Sequence, residues 1–358
     1  MSIESILGAV LVLAVVIFVH ELGHFLVAKW CDVEVLVFSM GFGPTLWSRR
    51  YGETEYRLAA IPFGGYVRMA GQDDSEDPPA SDPSRGFSAK TIRQRSAIVA
   101  AGPAVNVAFA FLVFFIVFWA YGKQDPVDAP RIGGVLSGAP AAEAGLEPGD
   151  TILSVDGRAI SRWDELSEIV RASEGRTLEL EVRSAEGDVR RIRITPQPRE
   201  ERDRLGEVIG TVYMIGVSRD FESVEVGPFE AVRLAGEYTW GFTSIIFQTL
   251  GRLLQGRVSA SDLGGPIMIA QEAGRRAATG LDPLLRFLAL ISVNLGVINV
   301  LPIPVLDGGH LAFFLVEAIR GKPLSVKVRE LAQQVGVFLL VALMVFVVFN
   351  DISRIVGG

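Results

Sequence analysis

The stretch Leu7–Ala28 reads LGAVLVLAVVIFVHELGHFLVA, an apolar run interrupted only by His20, Glu21 and His24. As a helix it is about 30 Å long, the thickness of a bilayer's hydrocarbon core. A helical HExxH sets two imidazoles one turn apart on one face, about 40° apart around the axis, with the glutamate about 100° from the first. That arrangement suits a tetrahedral Zn²⁺ held by two neutral histidines, with a carboxylate in reach of a water on the metal. An ionised side chain in a spanning helix costs a few kcal/mol, which argues for a functional role. The stretch therefore points to water chemistry run within a membrane.

The rest of the 358-residue chain fits that setting, with 49% hydrophobic residues. Four segments are long enough to span, running approximately Ile3–Ala28, Ala97–Tyr121, Leu284–Leu306 (continuing past it) and Leu331–Asn350. Tyr238–Leu250 is shorter with charged flanks, and reads as an interfacial or re-entrant helix. The connection between spans one and two holds nine Lys and Arg from Lys29 to Arg95, and that between spans three and four holds Arg320, Lys322, Lys327 and Arg329. Both belong on the cytoplasmic side by the positive-inside rule, which puts the long middle segment and both termini outside. The first span lacks a basic leader and a small-residue cleavage site, so it reads as a retained helix rather than a removable signal peptide. Cys31 is the only cysteine and reads as a reduced structural thiol; a net charge of −7 gives no support to a nucleic-acid partner.

In the first loop, Phe38–Pro44 and Ile61–Tyr66 are apolar and Gly-rich, with extended residues Thr54–Ala60 between them and a turn at Tyr51-Gly52-Glu53. They indicate membrane-associated β-hairpins beside the histidines. Gln72–Ser84, rich in Asp, Pro and Ser, reads as a flexible linker. Beyond span two, residues 127–220 form a domain. Its strands are expected at Ile132–Val135, Thr151–Val155, Leu178–Arg183 and Val189–Ile194, its helices near Pro140 and at Trp163–Arg171, and its closing strand at Ile215-Gly216-Val217. The AxxAGLxxGDxI pattern from Ala141 to Ile152 resembles a bacterial PDZ domain, a fold that takes an extended peptide as an added strand. Residues 221–280, with amphipathic stretches around Leu263-Gly264-Gly265-Pro266, read as lying along the membrane interface.

Two histidines leave a zinc site incomplete. Span three offers Asp307 and His310 in NLGVINVLPIPVLDGGH (Asn294–His310), at a similar depth to the first motif. Zinc accepts either group; an intramembrane carboxylate needs a partner such as a metal, while His310 also suits an outer role orienting a ligand.

HELGH, NxxPxPxLDGGH and the PDZ-like domain between spans two and three together resemble the site-2 protease family of intramembrane metalloproteases, most nearly the regulator of sigma-E protease type. GFGP at Gly41–Pro44, IPFGGYV at Ile61–Val67, AGPAVN at Ala101–Asn106 and GGPIMIA at Gly264–Ala270 extend the likeness over nearly the whole chain. The resemblance implies a polytopic α-helical membrane protein with about four transmembrane helices, a β-hairpin region and an inserted extracytoplasmic PDZ domain. It implies zinc on His20, His24 and Asp307, Glu21 as general base, and Asn294 and Asn299 on the substrate backbone. The two asparagines by themselves also fit interhelical hydrogen bonds, and Asn106 reads as a packing contact. The implied substrates are single-span membrane proteins, among them a trimmed anti-sigma factor and signal-peptide remnants, in a bacterial inner membrane. Peptide C-termini at the PDZ domain are further expected partners. One departure is the single PDZ copy where the type has two in tandem. The rival reading is a non-catalytic PDZ scaffold with a structural metal, which would not need Glu21.

Overall fold

The computed structural model describes residues 3–72, 80–203, 207–257 and 264–357. It divides into two compact units, Met1–Val117 with Pro228–Gly358, and Phe118–Gly227. In chain order, α1 (Ile3–Trp30) leads to a hairpin of β1 (Val35–Tyr51) and β2 (Thr54–Met69), then α2 (Ile92–Tyr121). The second unit carries β3 (Lys123–Pro126), β4 (Ile132–Val135), α3 (Pro140–Glu143), β5 (Thr151–Val155), β6 (Arg158–Ala159) and α4 (Trp163–Ala172). It continues with β7 (Leu178–Arg183), β8 (Val189–Ile194), β9 (Gln197–Arg202), β10 (Val208–Met214), β11 (Val217–Arg219) and β12 (Phe221–Val224). The chain then returns as α5 (Pro228–Leu254), α6 (Pro266–Thr279), α7 (Leu281–Val300), α8 (Asp307–Arg320) and α9 (Val326–Gly357).

Among the described residues α1, α2, α7 and α9 are long and apolar enough to cross a membrane. Span three ends earlier than its apolar run suggests. Instead of reaching Leu306, α7 stops at Val300, where Leu301 turns extended ahead of Pro302 and Pro304. Residues 301–306 are irregular, and a separate helix starts at Asp307. The apolar Tyr238–Leu250 lies in the middle of the 27-residue α5. The α6 N-terminus is capped from the last span: Asp351, almost fully buried, accepts the backbone N–H groups of Gly265, Ile267 and Met268 at 3.0–3.2 Å. α6 packs in turn on α1 through Ala9, Val12 and Ala273.

The first loop is a hairpin folded back on itself: residues 37–40 of β1 pair with both 55–58 and 65–68 of β2. Tyr51 pairs with Thr54 across a turn in which Gly52 has φ +61°, and GFGP lies opposite the Ile61 region, with Phe42 facing Ile61. Ala28, Val35, Phe38, Val67, Ile98 and Phe314 form a common core that locks the hairpin base to α1, α2 and α8. At the turn Arg85 forks onto Glu53 at 2.8 and 2.9 Å, Lys29 pairs with the same carboxylate, and Arg85 also reaches Asp32. Of the expected linker, residues 73–79 lie outside the described residues. Beyond them Ser81 donates to Glu34 from both its N–H and its hydroxyl, so this end is tied down. Leu263 also lies outside the described residues.

The second unit is built as its alternation predicts. In β7, Leu178, Leu180 and Val182 are fully buried while Glu179 and Arg183 face out, in a sheet of order β6-β5-β7-β8. Helix α4 adds Leu166 and Val170 to that core. Asp150, the acidic residue of the AxxAGLxxGD pattern, is buried and accepts from the Glu147 N–H and from Arg190. The closing strand forms against β4, with Val217 opposite Val135. Two antiparallel pairs, β9–β10 and β3–β12, extend the unit beyond the sequence reading.

Candidate metal centre

His20 and His24 are buried on one face of α1. The Nδ1 of His24 lies 2.9 Å from the Ile98 carbonyl of α2. A carbonyl only accepts, so Nδ1 carries the proton and Nε2 is left with a free lone pair. α2 comes this near because residue 102 has no side chain: a Cβ there would fall 2.3 Å from His24 Nε2 and 2.9 Å from His20 Cε1.

Asp307 is delivered by the break after α7. The chain folds back so tightly that a Cβ on Gly308 would lie 2.2 Å from the Val300 and Leu301 carbonyls, and one on Gly309 2.3 Å from the Ile303 carbonyl. This explains the double glycine. Asp307 then opens α8, where the helix N-terminus favours a carboxylate. Its Oδ2 stands 3.1 Å from His20 Nε2 and 3.5 Å from His24 Nε2, which are 3.2 Å apart. That Oδ2 is buried without a well-formed hydrogen bond, so the three atoms converge on a shared point rather than on one another. With zinc–ligand bonds of about 2.0–2.2 Å, tetrahedral ligand atoms are separated by about 3.3–3.6 Å. The triangle's sides of 3.1, 3.2 and 3.5 Å lie within or about 0.2 Å below that range, and two imidazoles with one carboxylate are a donor set zinc accepts. Among the described residues these three form the one such cluster.

Glu21 sits beside the cluster against β2. A Cβ on Gly65 would come 3.0 Å from Glu21 Cγ, and the Val67 backbone is a hydrogen-bond partner of its carboxylate. His310 is not brought to the pair; it packs edge-on against Phe313 at a centroid distance of 6.2 Å. Asn294 and Asn299 lie half-buried on α7. Asn106 is fully buried, and its Nδ2 lies 3.3 Å from His20 Nδ1. Gly102 and Asn106 both approach the histidines from one face of α2. Their four-residue spacing within AGPAVN was the available signal for this, and it was read only as packing.

In the second unit a mainly apolar groove runs between α4 and residues 213–217, lined by Trp163, Leu166, Val170, Tyr213, Ile215 and Val217.

Peptidase family M50 matches residues 8–343. A Brucella suis protein named, provisionally, as a zinc metalloprotease is 37% identical over 98% of this chain and 95% of its own length. The regulator of sigma-E protease RseP of Salmonella typhimurium is 34% identical over 97% of this chain and 98% of its own. A solved PDZ domain of an SdrC-like protein from Listeria monocytogenes aligns at 20% identity, covering 27% of this chain and 93% of that one, with a TM-score of 0.21. This family and these relatives, together with four helices long and apolar enough to cross a membrane, define the class, an intramembrane zinc metalloprotease. The chain belongs to peptidase family M50.

Proposed function

We propose that His20, His24 and Asp307 hold the zinc, that Glu21 is the general base, and that the enzyme cuts peptide bonds within or near the transmembrane segments of single-span proteins. The size of the His20–His24–Asp307 triangle carries this reading. Zinc supplies a Lewis acid for a peptide carbonyl and brings a coordinated water's pKa down to about 7. Glu21 takes a proton from the attacking water and returns it to the leaving amine. Gly65 of β2 packs closely on Glu21, which sets the hairpin beside the base, and an unwound substrate segment would pair there as an added strand. Unwinding is required because a helical substrate hides its carbonyls in its own hydrogen bonds. Asn294 and Asn299 offer amides to the carbonyls and N–H groups thus exposed, next to the broken backbone after Val300. A structural metal would call for a fourth protein ligand, and among the described residues the cluster has three.

The groove between α4 and residues 213–217 suits an extended peptide with an apolar C-terminus, in the manner of a PDZ domain. The second unit and both termini then lie outside a bacterial inner membrane, with the active site in the cytoplasmic half. A trimmed anti-sigma factor is the proposed client, and signal-peptide remnants are another. The test is Glu21→Gln: zinc content and fold stay, while cleavage of a single-span client falls by about 10²–10⁴-fold, the share of a general base. Undiminished cleavage refutes the assignment.

A further inference from the structure

The two imidazoles differ in how their outward nitrogens are held. His24 is settled, since Nδ1–H donates to the Ile98 carbonyl and Nε2 is free to bind. His20 also turns Nε2 to the cluster, and among the described residues its Nδ1 meets only the Asn106 amide, about two turns along α2 from Ile98. A histidine that binds through Nε2 must carry its proton on Nδ1 and donate it outward. The –NH₂ end of an amide cannot accept that proton, but its oxygen can. A half-turn of the amide about Cβ–Cγ exchanges the two ends in nearly the same space. The Asn106 Oδ1 is buried and has no hydrogen-bond partner, so an oxygen free to accept stands beside a ring nitrogen that must donate. Asn106 is itself pinned, since the Ser292 hydroxyl of α7 donates to its backbone carbonyl at 2.8 Å.

We infer that Asn106 is a positioning residue for the zinc: its side-chain oxygen accepts the Nδ1 proton of His20 and thereby holds the Nε2 lone pair on the metal. α2, which supplies no ligand, would then set the proton on both imidazoles, through the Ile98 carbonyl and the Asn106 amide. A residue that only packed would be replaced without loss by a side chain of similar size. An acceptor would not. The inference rests on the proposal that His20 is a zinc ligand, and the test separates the two.

Full-length protein in detergent is titrated with zinc against a competing chelator as the parent, as Asn106→Leu, as Asn106→Asp and as His20→Ala. The Leu variant, close in volume but unable to accept, is expected to bind zinc about 10–100-fold more weakly, the usual effect of removing an outer partner of a ligating histidine. The Asp variant, which keeps an acceptor oxygen, is expected to restore binding. Equal zinc affinity in the Leu variant and the parent, or an Asp variant as weak as the Leu, overturns the inference. If His20→Ala also leaves zinc affinity unchanged, the ligand assignment itself falls. A second measurement needs no variant. The chain has three histidines, so ¹⁵N-histidine labelling gives three ring systems to resolve in the zinc-loaded parent protein. His20 is expected to show a protonated Nδ1, and an unprotonated Nδ1 overturns the inference.

Discussion

Replacing Gly102 by alanine tests how closely α2 must approach the metal ligands. The added Cβ would stand 2.3 Å from His24 Nε2 and 2.5 Å from its Cε1, where ordinary contacts begin at 3.4 Å. About 1 Å must be found, and the obstructing atoms belong to a ring held on its far side by the Ile98 carbonyl. Either the helices separate or the ring turns off that carbonyl. If the ring turns, Nε2 moves by far more than the roughly 0.2 Å a zinc site tolerates, and if the helices separate, the ring loses the Ile98 carbonyl that orients it. Overpacking of this kind costs about 1–3 kcal/mol. Charged wholly to the metal-bound state, it weakens zinc about 5–150-fold, at 1.4 kcal/mol per decade. The assay is chelator competition on the detergent-solubilised protein, with cleavage of a single-span client in vesicles as the second readout. A Gly102→Ala protein with the parent's zinc affinity and cleavage rate would refute the argument that this approach is tight.

Asp307→Ala should lose more zinc affinity than the roughly 10–100-fold typical of an outer partner, while His310→Ala should keep zinc, as measured by metal content after dialysis. The reverse result would move the third ligand to His310. The Arg85 fork, with Lys29, holds the Glu53 carboxyl down to about 2. Its stabilisation of the hairpin turn is therefore full above the ordinary carboxylate range and lost as the pH falls towards 2. Amide exchange at residues 51–54 should quicken over that interval beyond the intrinsic trend, and Glu53→Gln should abolish the extra dependence.

Where burial alternates along the chain, the sequence was easy to read. Leu178, Leu180 and Val182 declare β7 because one face of the strand is wholly inside. The sequence Gln-Pro-Arg-Glu-Glu-Arg of β9 carries no such alternation, since both faces are largely exposed and only pairing with β10 makes it a strand. Span three was drawn too long for a related reason. Apolar residues continue to Leu306, but the helix ends where the backbone must double back over Gly308 and Gly309, a packing constraint that hydropathy does not register. At the metal cluster HExxH placed two of the three side chains from helical period alone. The choice of Asp307 over His310 needed the family likeness, because zinc chemistry accepts both. Asn106 reads from the sequence as a packing contact for a further reason: its approach to His20 depends on how two separate helices cross, and local spacing does not encode that.

The break after α7 has a consequence for how the enzyme comes into being. His20 and His24 leave the ribosome with the first helix, whereas Asp307 follows only after α2, the second unit and then α5, α6 and α7 have been made. A half-synthesised chain holds the two imidazoles and Glu21 but not Asp307. On the proposed ligand set, hydrolytic competence is thus tied to near-completion of translation, and a protease that cuts membrane segments stays inert while most of its own are being threaded into the bilayer.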